Sequence, residues 1–225
     1  VNDVRNAQSF RQMLEHFRVT ILNQTPAAFY NLVEVEKDCS SHRLADHLRM
    51  VIFAGEQLLA PPLRPWCKWY NPEQLALVNM YGITETTVHV TYHRLSLTEI
   101  ERTSGSCSIG KPLPRVDVYV LNSQRELQPI GVPGELYVGG SGVSTGYLNR
   151  QELSQARFVD HPFKTGERLY RSGDLGLWRS DGTLEYLGRN DNQVQFNGFR
   201  IELGEIEGVL SQHIDLENAV VVMHS

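Results

Sequence analysis

The densest run of chemically capable side chains is residues 79–87, Asn79-Met80-Tyr81-Gly82-Ile83-Thr84-Glu85-Thr86-Thr87. Asn79 offers an amide edge that can read a purine, Tyr81 a flat ring for stacking, and Gly82 lets backbone approach a ligand closely. Thr84 can donate to a phosphate oxygen, and Glu85 is a hard oxygen ligand suited to a magnesium ion that bridges phosphates. These residue types describe a nucleotide site; the bland alternative is a polar turn that ends a strand. A second carboxylate, Asp174 in Tyr170-Arg171-Ser172-Gly173-Asp174-Leu175, is expected at the end of a strand, where an Asp can accept both hydroxyls of a ribose. Gly-Asp is also a common turn, and Arg189 with Asp191 reads equally as a surface ion pair of roughly 0–1 kcal/mol.

The elements that must position these groups follow from hydrophobic periodicity. The apolar run 75–78 predicts a buried strand, so the 79–87 loop leaves its end. Two more short strands are predicted at 19–22 and 50–53. Phe10, Met13, Leu14 and Phe17 at helical spacing behind Ser9, with Gln12 three later, predict a capping-box helix over 9–17. Thr25-Pro26 opens a second helix with inner face Ala28, Phe29, Leu32 and Val33. A third is expected from Pro61 to Tyr70. Alternating strands and helices imply parallel strands joined by crossovers. Their ends near Asn23, Ala54 and Asn79 then open at one edge, so 23–25, Ala54-Gly55-Glu56 and the 79–87 loop line one pocket.

After Thr87 the texture turns β-rich, with strands predicted at 88–92, 116–121, 134–139, 169–171, 175–178 and 184–187, and a helix at 151–157. A hairpin turning at Asn197-Gly198 and a helix with Ile206, Val209 and Leu210 inward come last. The expected fold is α/β: a parallel doubly wound sheet portion (1–104), a small distorted β-barrel (105–190), then the start of a small α+β C-terminal subdomain (191–225) hinged at Asp191.

Charge is nearly balanced, 21 Lys plus Arg against 26 Asp plus Glu for a formal net of -5. A mildly acidic chain argues against nucleic acid or an anionic membrane as the main partner. Cys39, Cys67 and Cys107 form no C-x-x-C pair, and no apolar run approaches a membrane span, so a reducing, cytoplasmic setting is expected. The chain begins at Val1 without Met and ends in the strand-like run 219–223, so both ends read as cut. No G-x-x-x-x-G-K-[ST] loop is present. The glycines between Gly139 and Gly146 read as a tight turn between barrel strands. His89 and His93 have the i, i+4 spacing of a helical zinc pair, but on a strand they stand about 13 Å apart, too far to share a metal.

In order along the chain, Asn79-Met80-Tyr81-Gly82-Ile83-Thr84-Glu85, Gly134-Glu135-Leu136-Tyr137-Val138-Gly139-Gly140 through Gly146-Tyr147-Leu148, Tyr170 to Leu175 and Gly188 to Glu207 resemble the adenylate-forming superfamily. They most closely resemble the amino-acid adenylation domain of nonribosomal peptide synthetases, with Arg200 to Glu207 separating these from acyl-CoA ligases. The resemblance implies ATP and Mg2+ as cofactors: Asn79 and Tyr81 at adenine, Thr84 at the α-phosphate, Glu85 on the metal, Asp174 on the ribose, and Tyr186 and Arg189 flanking the nucleotide with Gly55, Glu56 and Gly82. Asp191 would be the hinge of a mobile C-terminal part, with the loop at Gly198 facing the pocket during thioester formation.

The positions that line the family's side-chain pocket fall on Asn23, Ile52, Ala54, Met80, Val88 and His89. This set is similar to that of threonine-activating domains, with Ala54 where Gly is expected. Partners implied are the amino acid, a peptidyl carrier domain bearing phosphopantetheine, and condensation domains. Gln195 and Asn197 stand where the family often carries Lys and Arg. Alternatives are an acyl-CoA or aryl-acid ligase, or a catalytically silent nucleotide-binding piece. The family's phosphate loop is expected before Val1 and its catalytic lysine beyond Ser225, and losing that lysine removes ~3 kcal/mol or more of transition-state stabilisation. Residues 1–225 alone are therefore expected to show no amino-acid-dependent exchange of pyrophosphate into ATP; robust exchange would contradict this.

Overall fold

The computed structural model describes residues 6–191, 193–196, 199–213, 216 and 219–223. Five strands, β1 (Ile21–Gln24), β2 (Met50–Phe53), β3 (Ala76–Asn79), β4 (Thr91–Arg94) and β5 (Lys111–Pro112), form one sheet in that order. β1, β2 and β3 are parallel, with Asn23 beside Ile52 and Ile52 beside Val78. β4 and β5 join antiparallel, so the doubly wound portion is a mixed sheet that continues past residue 104.

α1 (Ala7–His16) precedes β1, and the crossovers carry α2 (Pro26–Lys37) and α3 (Arg64–Cys67). α2 starts as its sequence dictates: Thr25 is extended, its hydroxyl accepts from the Ala28 N–H at 3.4 Å, and Pro26 fills the first helical position. α1 starts two residues before the predicted Ser9. Asn6 is the cap, its Oδ1 accepting from the Ser9 N–H at 3.0 Å, because Asn competes at least as well as Ser for that role. The helix expected over 61–70 is instead a 3₁₀ turn, Pro61–Leu63, followed by the single turn of α3, since Pro61, Pro62 and Pro65 deny backbone donors to a longer ladder. Phe29 packs edge-on against both Phe53 and Trp66, at 4.9 and 4.8 Å between ring centroids, and anchors the core between α2 and the sheet.

A second, antiparallel sheet orders β10 (Leu184–Arg189), β9 (Arg168–Trp178), β7 (Gly134–Gly140) and β6 (Val116–Leu121), with β8 (Phe158–Asp160) on β9 after helix α5 (Gln151–Arg157). α4 (Leu97–Arg102) links β4 to β5. The two strands predicted at 169–171 and 175–178 are one strand, β9, whose left-handed Gly173 (φ +78) bends it without ending it. The strand predicted over 88–92 begins only at Thr91. Thr87 and Val88 take φ of +63 and +68, a left-handed conformation that β-branched residues resist and that no strand accommodates.

The last elements are the hairpin β11 (Gln193–Phe196) and β12 (Phe199–Glu202) and helix α6 (Leu203–Leu210). The predicted turn pair Asn197-Gly198 lies outside the described residues. Residues 219–223, expected as a strand, pair with no strand among the described residues; the Val221 N–H instead meets the Glu207 carboxylate at 2.9 Å. No helix of the described residues is long and apolar enough to cross a membrane.

One buried charge cluster ties α1 to α2. Glu36 is fully buried; it accepts from Arg11 Nε at 2.6 Å and from the Tyr70 hydroxyl at 2.5 Å, with His42 Nδ1 at 3.0 Å. Removing the guanidinium leaves a buried carboxylate short of its main partner. Arg11→Met is expected to lower the unfolding free energy by about 3–5 kcal/mol in urea denaturation. Lys37→Met, breaking the exposed pair with Glu34, is expected to cost under about 1 kcal/mol. A loss at Arg11 no larger than at Lys37 would contradict this reading of the cluster.

Candidate functional site

The segment that leaves β3 lies where the two sheets meet. Val90 and Thr91 both donate backbone N–H groups to the Tyr81 carbonyl, at 2.7 and 3.0 Å, which folds 81–91 back on itself. A Cβ at Gly82 would stand 1.9 Å from the Val88 carbonyl oxygen, so only glycine permits that closure. The fold-back packs the Tyr81 ring against the apolar core of the second sheet, 6.1 Å from the Tyr186 ring.

There Tyr81 meets Asp174. The tyrosine hydroxyl donates to Asp174 Oδ2 at 2.5 Å, and Arg189 Nη1 donates to Oδ1 at 2.8 Å. Asp174 is 3% exposed, and Ser172 Oγ accepts from its backbone N–H at 3.0 Å while donating to the Leu136 carbonyl. Asp174 is thus inside β9, not at a strand end. Arg189 also clamps Asp191, Nε to Oδ1 at 2.7 Å and Nη2 to Oδ2 at 2.8 Å. The ion pair that the sequence allowed to be a surface contact is largely buried, with the Arg189 side chain 10% exposed. Burial would lower the guanidinium pKa, but the hydrogen bond to Asp191 and the charges of Asp174 and Asp191 outweigh it and raise it. Burial and the neighbouring Asp174 push the Tyr81 phenol well above its ordinary range, so it stays a donor.

A cavity of about 450 Å³ opens at this junction, with Tyr81, Gly82, Asp174, Tyr186, Arg189 and Asp191 in its wall together with Asn79, Met80, Gly55 and Glu56. Asn79 is buried, and one amide hydrogen goes to the Ser108 carbonyl at 2.8 Å. Glu56 has a structural task as well, accepting the Ala27 N–H of α2 at 3.1 Å. Thr84 and Glu85 stand outside that wall, on the 3₁₀ turn Thr84–Thr86. Thr84 is exposed, whereas Glu85 is 8% exposed and accepts from the hydroxyls of Tyr147 and Tyr170. Sequence reasoning missed both tyrosines. Gln195 is in the wall too, and Asn197 lies outside the described residues.

Of the six side-chain-pocket positions only Met80 reaches this cavity. Asn23 and Ile52 are neighbours across β1 and β2, Ala54 follows β2, and Val88 is exposed on its left-handed turn. His89 is half-buried, burial lowers its pKa, and its buried Nδ1 has no hydrogen-bond partner. His93 instead pairs with Glu99 at 2.8 Å.

The cavity wall fits a nucleotide, and Glu85, the carboxylate expected at a cation, stands beside that wall and not in it. A carboxylate has about four acceptor sites, so Asp174 can take ribose hydroxyls beside the donors Tyr81 and Arg189. Among the described residues no group of three or more His, Cys, Asp or Glu could hold a metal. A cation here would lean on one carboxylate and on ligand phosphates, the arrangement magnesium favours.

A family model described as AMP-binding enzyme matches residues 2–148. The dimodular nonribosomal peptide synthase of Bacillus subtilis (strain 168) is 46% identical over 220 residues, covering 97% of this chain and 9% of that protein. The structure of PA1221, a nonribosomal peptide synthetase protein containing adenylation and PCP domains, superposes with a TM-score of 0.80 at 27% identity, over 92% of this chain and 40% of that one. The Vibrio cholerae adenylation domain AlmE, solved in complex with glycyl-adenosine-5'-phosphate, superposes with a TM-score of 0.77 at 32% identity, over 91% of this chain and 38% of that one. The chain thus spans well under half the length of each.

Asp191 carries a pH prediction. Burial raises its pKa, but the hydrogen bonds and charge of Arg189 and the contact with Arg157 outweigh that and hold it below the ordinary 3.8. A depressed native pKa means the ionised group contributes stability above its unfolded value and loses it as pH falls through the native one. Asp191→Asn is expected to flatten the decline of the urea midpoint below about pH 4 relative to the parent chain. An unchanged slope there would contradict the assignment.

Proposed function

This chain belongs to the AMP-binding enzyme family, and from that premise we propose that it forms the adenylate-holding part of an amino-acid adenylation domain in a nonribosomal peptide synthetase. The observation that carries this reading is the Tyr81–Asp174–Arg189 constellation in one cavity wall. A flat ring, a buried carboxylate and a fixed guanidinium are what an adenosine monophosphate moiety needs for its base, its ribose hydroxyls and its negative charge. The relatives and neighbours that support it are themselves peptide synthetases and adenylation domains.

In the proposed reaction an amino-acid carboxylate and ATP give aminoacyl-AMP and pyrophosphate, and the acyl group passes to the phosphopantetheine thiol of a carrier domain. Mg2+, when bound through Glu85, would offset negative charge on the phosphates. Asn79, Tyr81, Gly82, Gly55, Glu56 and Tyr186 would enclose the base and sugar, Asp174 would fix the ribose, and Thr84 would donate to the α-phosphate. Asp191 would be the hinge, its carboxylate shared between Arg189 and Arg157. Peptidyl carrier and condensation domains are the proposed neighbours; the superposed PA1221 contains adenylation and PCP domains.

L-threonine is the proposed substrate. Asn23 and His89 would engage its β-hydroxyl while Ile52, Ala54, Met80 and Val88 hold its methyl. The unpartnered Nδ1 of a neutral His89 supports this, because a buried polar atom without a partner costs free energy that a substrate hydroxyl would recover.

Calorimetry with AMP and with non-hydrolysable aminoacyl-adenylate analogues tests both levels. AMP is expected to bind, and Asp174→Ala to weaken it by about tenfold or more. The threonyl analogue is expected to outbind its 2-aminobutyryl counterpart by about a hundredfold, a margin His89→Ala removes. AMP binding indifferent to Asp174 would refute the site; equal affinities for the two analogues would refute threonine alone.

A further inference from the structure

The glycine-containing turn after β7 does more than reverse the chain. Ser144 N–H donates to the Glu85 carbonyl at 2.9 Å, and the Thr87 hydroxyl donates to the Gly142 carbonyl at 2.8 Å. A Cβ on Gly142 would stand 3.0 Å from the Thr86 carbonyl oxygen, so a side chain there would press the two segments apart by a few tenths of an ångström. The same turn delivers Tyr147, whose hydroxyl donates to Glu85 Oε1 at 2.6 Å. Tyr170, from β9, donates to that same oxygen at 2.9 Å, and the two hydroxyls stand 3.0 Å apart.

We infer that Tyr147 and Tyr170 are positioning residues that hold the Glu85 carboxylate in the one orientation from which it can serve a cation on the nucleotide phosphates. The inference rests on the proposed role of Glu85. Both phenols lie within hydrogen-bond reach of Oε1, so this oxygen is held as an acceptor at the meeting point of two hydroxyls. The rings cannot swing aside: Tyr170 is fully buried, both pack on Phe158 at 5.4 and 5.0 Å, and Ile83 completes that cluster. Glu85 is thereby held at its backbone by Ser144 and at its side chain by two rigid hydroxyls. Partners of a metal ligand tune affinity without touching the metal.

The test is ATP binding by the whole chain, titrated with and without Mg2+, for the parent, Tyr147→Phe, Tyr170→Phe and Glu85→Gln, with urea midpoints reporting folding. Tyr147→Phe is expected to lose about tenfold of the affinity gain that Mg2+ confers, while Mg2+-free affinity stays within about twofold. Tyr170→Phe is expected to move the same way, and it decides the question if Tyr147→Phe does not fold. A tyrosine variant that keeps the full Mg2+-dependent gain, or loses Mg2+-free affinity by the same factor, overturns the inference, because the hydroxyl would then serve only packing. If those variants behave so while Glu85→Gln abolishes the gain, the role of Glu85 survives without this one. A gain undiminished in Glu85→Gln, or absent from the parent, overturns both.

Discussion

The Asp174 carboxylate is a charge placed where almost no water reaches it, and it is tolerable there because two donors from different parts of the chain converge on it. Tyr81 comes from the loop that leaves the first sheet, and Arg189 from the edge strand of the second. The Tyr81 hydrogen bond to that carboxylate is what joins the loop of the first sheet to the second, and the cavity lies at this junction. A buried pair adds little net stability by itself, yet losing one member leaves the other uncompensated.

Register makes the contact possible. Arg189 lies opposite Asp174 across β10 and β9 only because the pairing shifts by one residue between Tyr186 and Gly188, where Gly188 adopts φ +107. Without that bulge every later side chain of β10 would point to the other face. Similar backbone departures surround the site: the left-handed Thr87 and Val88, the bend at Gly173, and Gly82 folded against Val88. Of these only Thr87 and Val88 are strained, because glycine takes a positive φ readily.

Much of this was legible in the sequence where the signal is local. The strand before Asn79, the cap at Thr25 and the chemistry of Tyr81 and Asp174 are read from a few consecutive residues. The resemblance named the family, and the family match over residues 2–148 agrees with it. What could not be read is long-range. Arg189 stands two residues from Asp191, so a local reading saw a surface pair and missed the partner fifteen positions away. Tyr147 and Tyr170 reach Glu85 across sixty-two and eighty-five positions, distances over which one sequence carries no contact signal. The pattern Gly-Tyr after a glycine-rich turn was the available hint, since a tyrosine that follows a close backbone approach tends to need somewhere to put its hydroxyl.

The central claim is that the junction of the two sheets holds an adenylate. A crystal structure of this chain grown with AMP measures that directly. The account predicts electron density for the nucleotide in the cavity, its base against the Tyr81 ring and its ribose hydroxyls within hydrogen-bond distance of Asp174. Well-ordered AMP elsewhere on the molecule, with the Tyr81–Asp174–Arg189 contacts unchanged and no nucleotide against them, would contradict it.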